Sequence, residues 1–89
     1  MQSNTVTIIN KLGLHARAAA KFATTAGRFA SQIKVGLNGK KVDAKSVMSL
    51  MLLAANKGTN IELEVEGSDE QEAMDAIVAL INNRFDEAE

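Results

Sequence analysis

The chain of 89 residues has no cysteine, no proline, no tryptophan and no tyrosine, and only one histidine. Without cysteine there can be no disulfide framework, thiolate nucleophile, iron–sulfur cluster or Cys-ligated zinc. A single histidine excludes a multi-histidine metal centre within one chain, so neither a metal nor a cofactor is expected. With 3 phenylalanines as the only aromatics, the core must be aliphatic. The longest apolar run, Leu50 to Ala55, falls far short of the roughly 20 residues that span a bilayer, and no membrane insertion is expected. The opening MQSNTVTIIN lacks both a basic segment and an apolar signal core, so it reads as the mature N-terminus of a cytoplasmic protein. Linkers, repeats and low-complexity stretches are also missing. At 9.5 kDa, 46% hydrophobic and 24% charged, residues 1–89 are expected to form one ordered domain.

Acid is nearly absent from the first two thirds. Residues 1–61 hold 9 of the 10 bases and one acid, Asp43, whereas residues 62–89 hold 10 acids and one base, Arg84. If the fold keeps these halves on different surfaces, the molecule is a dipole that orients a complementary partner. The run of lysines from Lys34 to Lys57 has no interleaved aromatic for base stacking. Nucleic acid is therefore not expected, and a partner protein is.

What is present reads as alternating strands and helices. Thr5 to Ile9 is β-branched throughout and predicts a first strand. From Ala16, the residues Ala19, Phe22, Ala23 and Ala26 fall on one helical face, stopped by Gly27. Ile33, Val35 and Leu37 alternate with polar or small residues, Asn38-Gly39 signals a tight hairpin, and Lys40 to Val42 returns as a short strand. Ser46 predicts the N-cap of a short helix reaching about Ala55. Ile61, Leu63 and Val65 alternate strictly with Glu62, Glu64 and Glu66, giving a strand buried on one face. Ser68-Asp69-Glu70-Gln71 has capping-box spacing ahead of a helix to about Arg84, with Ala73, Ile77, Leu80 and Ile81 as its buried stripe. The acidic tail, residues 86–89, is expected to fray. The order βαββαβα predicts an α+β open-faced two-layer sandwich, a four-stranded antiparallel sheet with three helices on one face.

The histidine lies at a strand-to-helix junction, in Gly13-Leu14-His15-Ala16-Arg17-Ala18. A helix start exposes free backbone N–H groups and the positive end of the helix dipole. That makes an anion site, to which Arg17 can add a bidentate guanidinium. The environment disfavours an imidazolium and suits a neutral, nucleophilic ring that takes up a phosphoryl group. A capping or surface histidine without chemistry is the plainer alternative. A general-base role has no nucleophile beside it in sequence.

Gly13-Leu14-His15-Ala16-Arg17-Ala18-Ala19 resembles the phosphorylation-site signature of the HPr family, the histidine-containing phosphocarriers of the bacterial phosphoenolpyruvate-dependent phosphotransferase system. Lys45-Ser46-Val47-Met48-Ser49-Leu50-Met51 is similar to that family's second signature, around a regulatory serine. The resemblance runs from Thr5 to about Phe85 without insertions. It implies a phosphoryl group on Nδ1 of His15, with Arg17 as its electrostatic partner. It further implies phosphorylated enzyme I as donor, IIA-type domains as acceptors, and regulation at Ser46 by an HPr kinase/phosphorylase. Ala18 departs from the pattern, since many members carry proline there, but alanine is an excellent helix former. One histidine and one arginine make a carrier rather than an enzyme, and a monomer is expected. A nitrogen-related regulatory branch and a binding module without phosphotransfer are the alternatives.

The short helix is apolar nearly all round. On a 100° wheel, Leu50, Leu53 and Ala54 share one side, and Val47, Met48, Met51 and Leu52 the other. A sheet covered on one face can hardly bury both sides, so Val47, Met48, Met51 and Leu52 are expected to form a docking patch, made adaptable by its methionines. Ser46 already has structural work as an N-cap, worth roughly 1 kcal/mol. A phosphate on it would place negative charge at that patch.

Overall fold

Alternation decides which way the sheet faces. In strand β4 (Asn60–Glu66), Ile61, Leu63 and Val65 are fully buried and the three glutamates point to the other side. The computed structural model describes residues 1–89. It places β4 between β1 (Gln2–Thr7) and β2 (Gln32–Leu37), with β3 (Lys40–Asp43) beyond β2, so the order is β1-β4-β2-β3. Every neighbouring pair is antiparallel, in a register that sets Val6 against Ile61 and Val35 against Leu63. Helices α1 (Ala16–Ala26), α2 (Val47–Leu52) and α3 (Glu70–Asn82) complete the expected α+β sandwich. Its core is aliphatic, apart from Phe22 and Phe85 stacked at 6.1 Å between ring centroids. No helix is long and apolar enough to cross a membrane.

The hairpin and α1 form as predicted. Asn38 and Gly39 both take positive φ, 52° and 82°, the tight two-residue turn that follows the twist of the strands. Ala19, Phe22, Ala23 and Ala26 are buried, as is Ala18.

Four expectations are corrected. Strand β1 ends at Thr7 rather than Ile9, because Thr7 is opposite Asn60, where β4 begins. Ile8 turns inward and Ile9 outward. Helix α2 ends at Leu52, and Ala54 has φ of 52° and is exposed, so it drops out of the core side, which keeps Leu50 and Leu53. The early exit lets the chain turn so that the carbonyl of Ala55 accepts from the amide of Leu14 at 2.9 Å. Helix α3 ends before Arg84: residues Arg84, Phe85 and Asp86 all take positive φ and reverse the chain around the buried Phe85. The tail beyond does not fray. The backbone N–H of Lys11 donates to the carbonyl of Glu89 at 2.8 Å, and Lys21 and Lys11 pair with Asp86 and Glu89 at 3.5 and 3.3 Å.

The charge asymmetry along the chain is partly cancelled in space. Lys34 lies opposite Glu64 in the ladder, and Lys41 Nζ approaches Glu64 Oε2 at 2.6 Å. Lys34 of β2 and Lys41 of β3 thus offset part of the charge of β4 on the open sheet face.

The start of α3 also differs from a capping box. Asp69 is the N-cap, but its carboxylate makes no cap bond. It accepts instead from the amides of Ala30 and Ser31, at 2.8 and 2.9 Å, and from the Ser31 hydroxyl. Glu70 supplies the reach-back, accepting from the amide of Gly67 at 3.2 Å. Asp69 thus ties the α1–β2 connection to α3, and the Ser31 hydroxyl and the two amides hold its carboxyl below the usual range. A carboxylate with a depressed folded pKa contributes stability that is present above its unfolded value and lost as pH falls through the folded one. Asp69→Ala is therefore expected to melt below wild type at neutral pH, with the gap closing below about pH 4. Melting curves from pH 7 to pH 2 check this, and a pH-independent gap would show that the charge is not what matters.

Candidate functional site

The loop Asn10–Leu14 carries the chain from β1 into α1, and one glycine sets how closely it packs. Gly13 has φ of 65°, and a Cβ there would meet the Ala55 carbonyl oxygen and lie 2.8 Å from Asn56 Cα. Only glycine allows both the conformation and the approach. Asn10 is fully buried beneath this loop and closes it, its side-chain amide donating to the Gly13 carbonyl at 2.8 Å. The contact with Ala55 brings the loop and the exit of α2 together, so the histidine and the short helix share one end of the molecule.

His15 is the N-cap of α1, extended at φ −75° and ψ 179°. Its Nδ1 accepts from the amide of Arg17 at 3.3 Å, which satisfies one of the free donors of the first turn. The hydrogen-bond network therefore assigns Nδ1 as the acceptor and places the proton on Nε2. Nε2 lies 2.5 Å from Glu87 Oε2. Arg17 is exposed and makes no ion pair, and it lines an open cavity of about 790 Å³ together with His15, Lys11, Lys21 and Glu87. The lining is basic except for the tail.

Two residues at this site were not singled out from the sequence, Asn10 and Glu87. The second oxygen of Glu87 accepts from Asn10 Nδ2 at 3.0 Å. Burial alone would raise the Glu87 carboxyl, but the hydrogen bonds from Asn10 and His15, together with the Arg17 charge, outweigh it and hold it low.

Ser46 caps α2 as expected, its Oγ accepting from the amide of Ser49 at 3.3 Å. Of the expected patch, Met48 and Leu52 are 75% and 70% exposed and Met51 43%. Val47 is half-buried and packs on the core instead. Leu12, 65% exposed, adds an apolar side chain from the histidine loop. No group of His, Asp and Glu residues has the arrangement of a metal site.

Comparison with known proteins agrees with the fold and the signatures. The family model "PTS HPr component phosphorylation site" matches residues 2–83. A phosphocarrier protein HPr from Cupriavidus necator is 60% identical over 89 residues, the whole of both chains. The crystal structure of HPr-C-His from Thermoanaerobacter tengcongensis superposes with a TM-score of 0.96, at 48% identity and full coverage of both chains. An HPr dimer from the same organism superposes at 0.79, with 49% identity, covering 98% of this chain and all of that one. The chain belongs to the HPr family, the phosphocarrier proteins of the phosphotransferase system.

Gly13→Ala is expected to cost about 1–3 kcal/mol, because a side chain is forced into the left-handed region against a backbone that cannot retreat. Denaturant unfolding measures the cost, and a displaced His15 ring signal should accompany it. A stable variant with an unmoved ring would mean that the loop is not set by this contact.

Proposed function

We propose that this chain accepts a phosphoryl group on Nδ1 of His15 from phosphorylated enzyme I and passes it to a IIA-type domain. The observation that carries this reading is the orientation of the ring, with Nδ1 turned to the first-turn amides of α1 and Nε2 turned away. The lone pair of Nδ1 forms the new bond to phosphorus as the donor's N–P bond breaks, and its electron pair leaves with the donor's imidazole. A phosphoryl oxygen would take over the Arg17 amide, and the unpaired guanidinium would meet the other equatorial oxygens. Onward transfer is the reverse step toward another imidazole. With no second nucleophile in the cavity, the chain acts as a carrier whose substrates are other proteins' phosphohistidines, working as a cytoplasmic monomer.

Docking falls to Met48, Met51 and Leu52, exposed beside the histidine loop, with Val47 beneath them as packing. Ser46 stands at the base of this patch. Phosphorylation there by an HPr kinase/phosphorylase would set a negative charge against an acidic partner.

His15→Ala is expected to abolish labelling by phosphoenolpyruvate and enzyme I, read by intact mass. Retained labelling would refute the carrier reading. Arg17→Lys keeps charge but loses the planar fork, and should slow transfer by about 10- to 100-fold, or roughly 1.4–2.7 kcal/mol. An unchanged rate would leave the helix N-terminus to do that work alone.

Met48→Asp should weaken binding of donor and acceptor by about tenfold or more, through desolvation of an unpartnered charge. Its melting temperature should stay near wild type, whereas the core control Leu50→Ala should lose about 2–5 kcal/mol. Titration of both partners with parallel melting curves checks this; a variant that melts early yet binds normally when folded would make Met48 a packing residue.

A further inference from the structure

The tail contact has more structure than a surface ion pair would need. Both carboxylate oxygens of Glu87 have their own donor: Oε1 takes Asn10 Nδ2 at 3.0 Å and Oε2 takes His15 Nε2 at 2.5 Å. Asn10 is fully buried, and the same amide group also holds the Gly13 carbonyl, so it cannot follow the tail if the tail moves. The Glu87 side chain is only 14% exposed. Upstream it is anchored by the buried Phe85, stacked on Phe22 of α1, and it is flanked by the Lys21–Asp86 and Lys11–Glu89 pairs. These contacts fix the carboxylate in position and in plane.

We infer that Glu87 is a positioning residue for phosphoryl transfer, which holds His15 in the Nε2–H tautomer so that Nδ1 keeps its lone pair. The inference rests on His15 being the phosphoryl carrier. A free neutral imidazole distributes its proton between both nitrogens, and a carboxylate fixed at one of them selects that site. With the proton on Nε2, Nδ1 attacks phosphorus without first losing a proton. The same proton matters for the return step. When the Nδ1–P bond breaks, the electron pair goes back to the ring, which leaves as neutral imidazole if Nε2 is still protonated and as the far more basic imidazolate if it is not. Glu87 thus acts in both directions, and its negative charge opposes the positive charge of the phosphorylated ring. No proton is gained or lost in either transfer.

The geometry makes Glu87→Gln a sharp test. Two donors, Asn10 Nδ2 and His15 Nε2, converge on this side chain, and an amide offers only one acceptor. Either Asn10 loses its partner or the NH₂ faces Nε2 and drives the ring to the opposite tautomer. Long-range proton–nitrogen spectra of the neutral ring should show Nε2 protonated in wild type, with that preference reduced in Glu87→Gln and Glu87→Ala and partly restored in Glu87→Asp. Transfer from phosphorylated enzyme I should fall about tenfold in kcat/KM, or ~1.4 kcal/mol, through kcat rather than KM because the docking patch is untouched. Melting temperatures should fall only slightly, by the one bond that buried Asn10 loses. An unchanged tautomer distribution in Glu87→Ala would overturn the inference, and so would faster transfer, which would make the tail a shield. Because the ring spectra need no phosphoryl donor, a wild type that takes up no phosphate would defeat the carrier reading while the tautomer comparison still reports on Glu87.

Discussion

The contact between the Asn10–Leu14 loop and the exit of α2 is the constraint on which the rest of the site depends. Leu14 donates to the Ala55 carbonyl, and Gly13 lies so close to Ala55 and Asn56 that a methyl group has no room. The α2–β4 connection is bound to the same knot, since the Gly58 amide donates to the Ile8 carbonyl at 2.7 Å. Neither loop has regular structure, yet each satisfies the other's backbone groups away from water. The result sets the start of α1 beside the exposed side of α2. His15 and the exposed methionines therefore share one surface, although they come from segments on opposite sides of β2 and β3 in the chain.

Electrostatically the site sets three basic side chains against three acids of the tail, and of the bases only Arg17 has no ion-pair partner. Lys11, Arg17 and Lys21 surround His15, and the positive end of α1 adds to them. An anion is expected in such a place, and Glu87 occupies only the far side of the ring. The near side, with the Arg17 amide and guanidinium, is left for another anion. The opposed demands of the two ring nitrogens are met by opposed surroundings, a carboxylate at one and N–H donors at the other.

Much of the fold was legible because its signals are local. Ile61-Glu62-Leu63-Glu64-Val65 alternates within one strand, the α1 stripe repeats within one helix, and Asn38-Gly39 specifies its own turn. His15, Arg17, Ser46 and the exposed methionines could be found in the same way, since their positions at helix starts and on a helix face are set by near neighbours. The misreadings share the opposite property. Ala54 leaves the helical path because Ala55 has a partner at Leu14, and Asp69 abandons its own helix for amides at Ala30 and Ser31. The polar tail gave no sign of binding, because its partners Asn10, His15 and Lys11 lie at the other end of the sequence. Periodicity and capping rules carry no information across such distances.

The turn at Arg84–Asp86 bears on how the site comes into being during synthesis. Three successive non-glycine residues in the left-handed region are not a conformation the backbone chooses for itself; burying Phe85 against Phe22 is what holds them there. His15 precedes Glu87 by 72 residues, so a growing chain exposes its imidazole long before the carboxylate has been made. Even after Glu87 emerges, it reaches the ring only once Phe85 has found its place among the helices. The second nitrogen of His15 gains its partner as one of the last events of vectorial folding, and a nascent chain carries a histidine free to exchange tautomers.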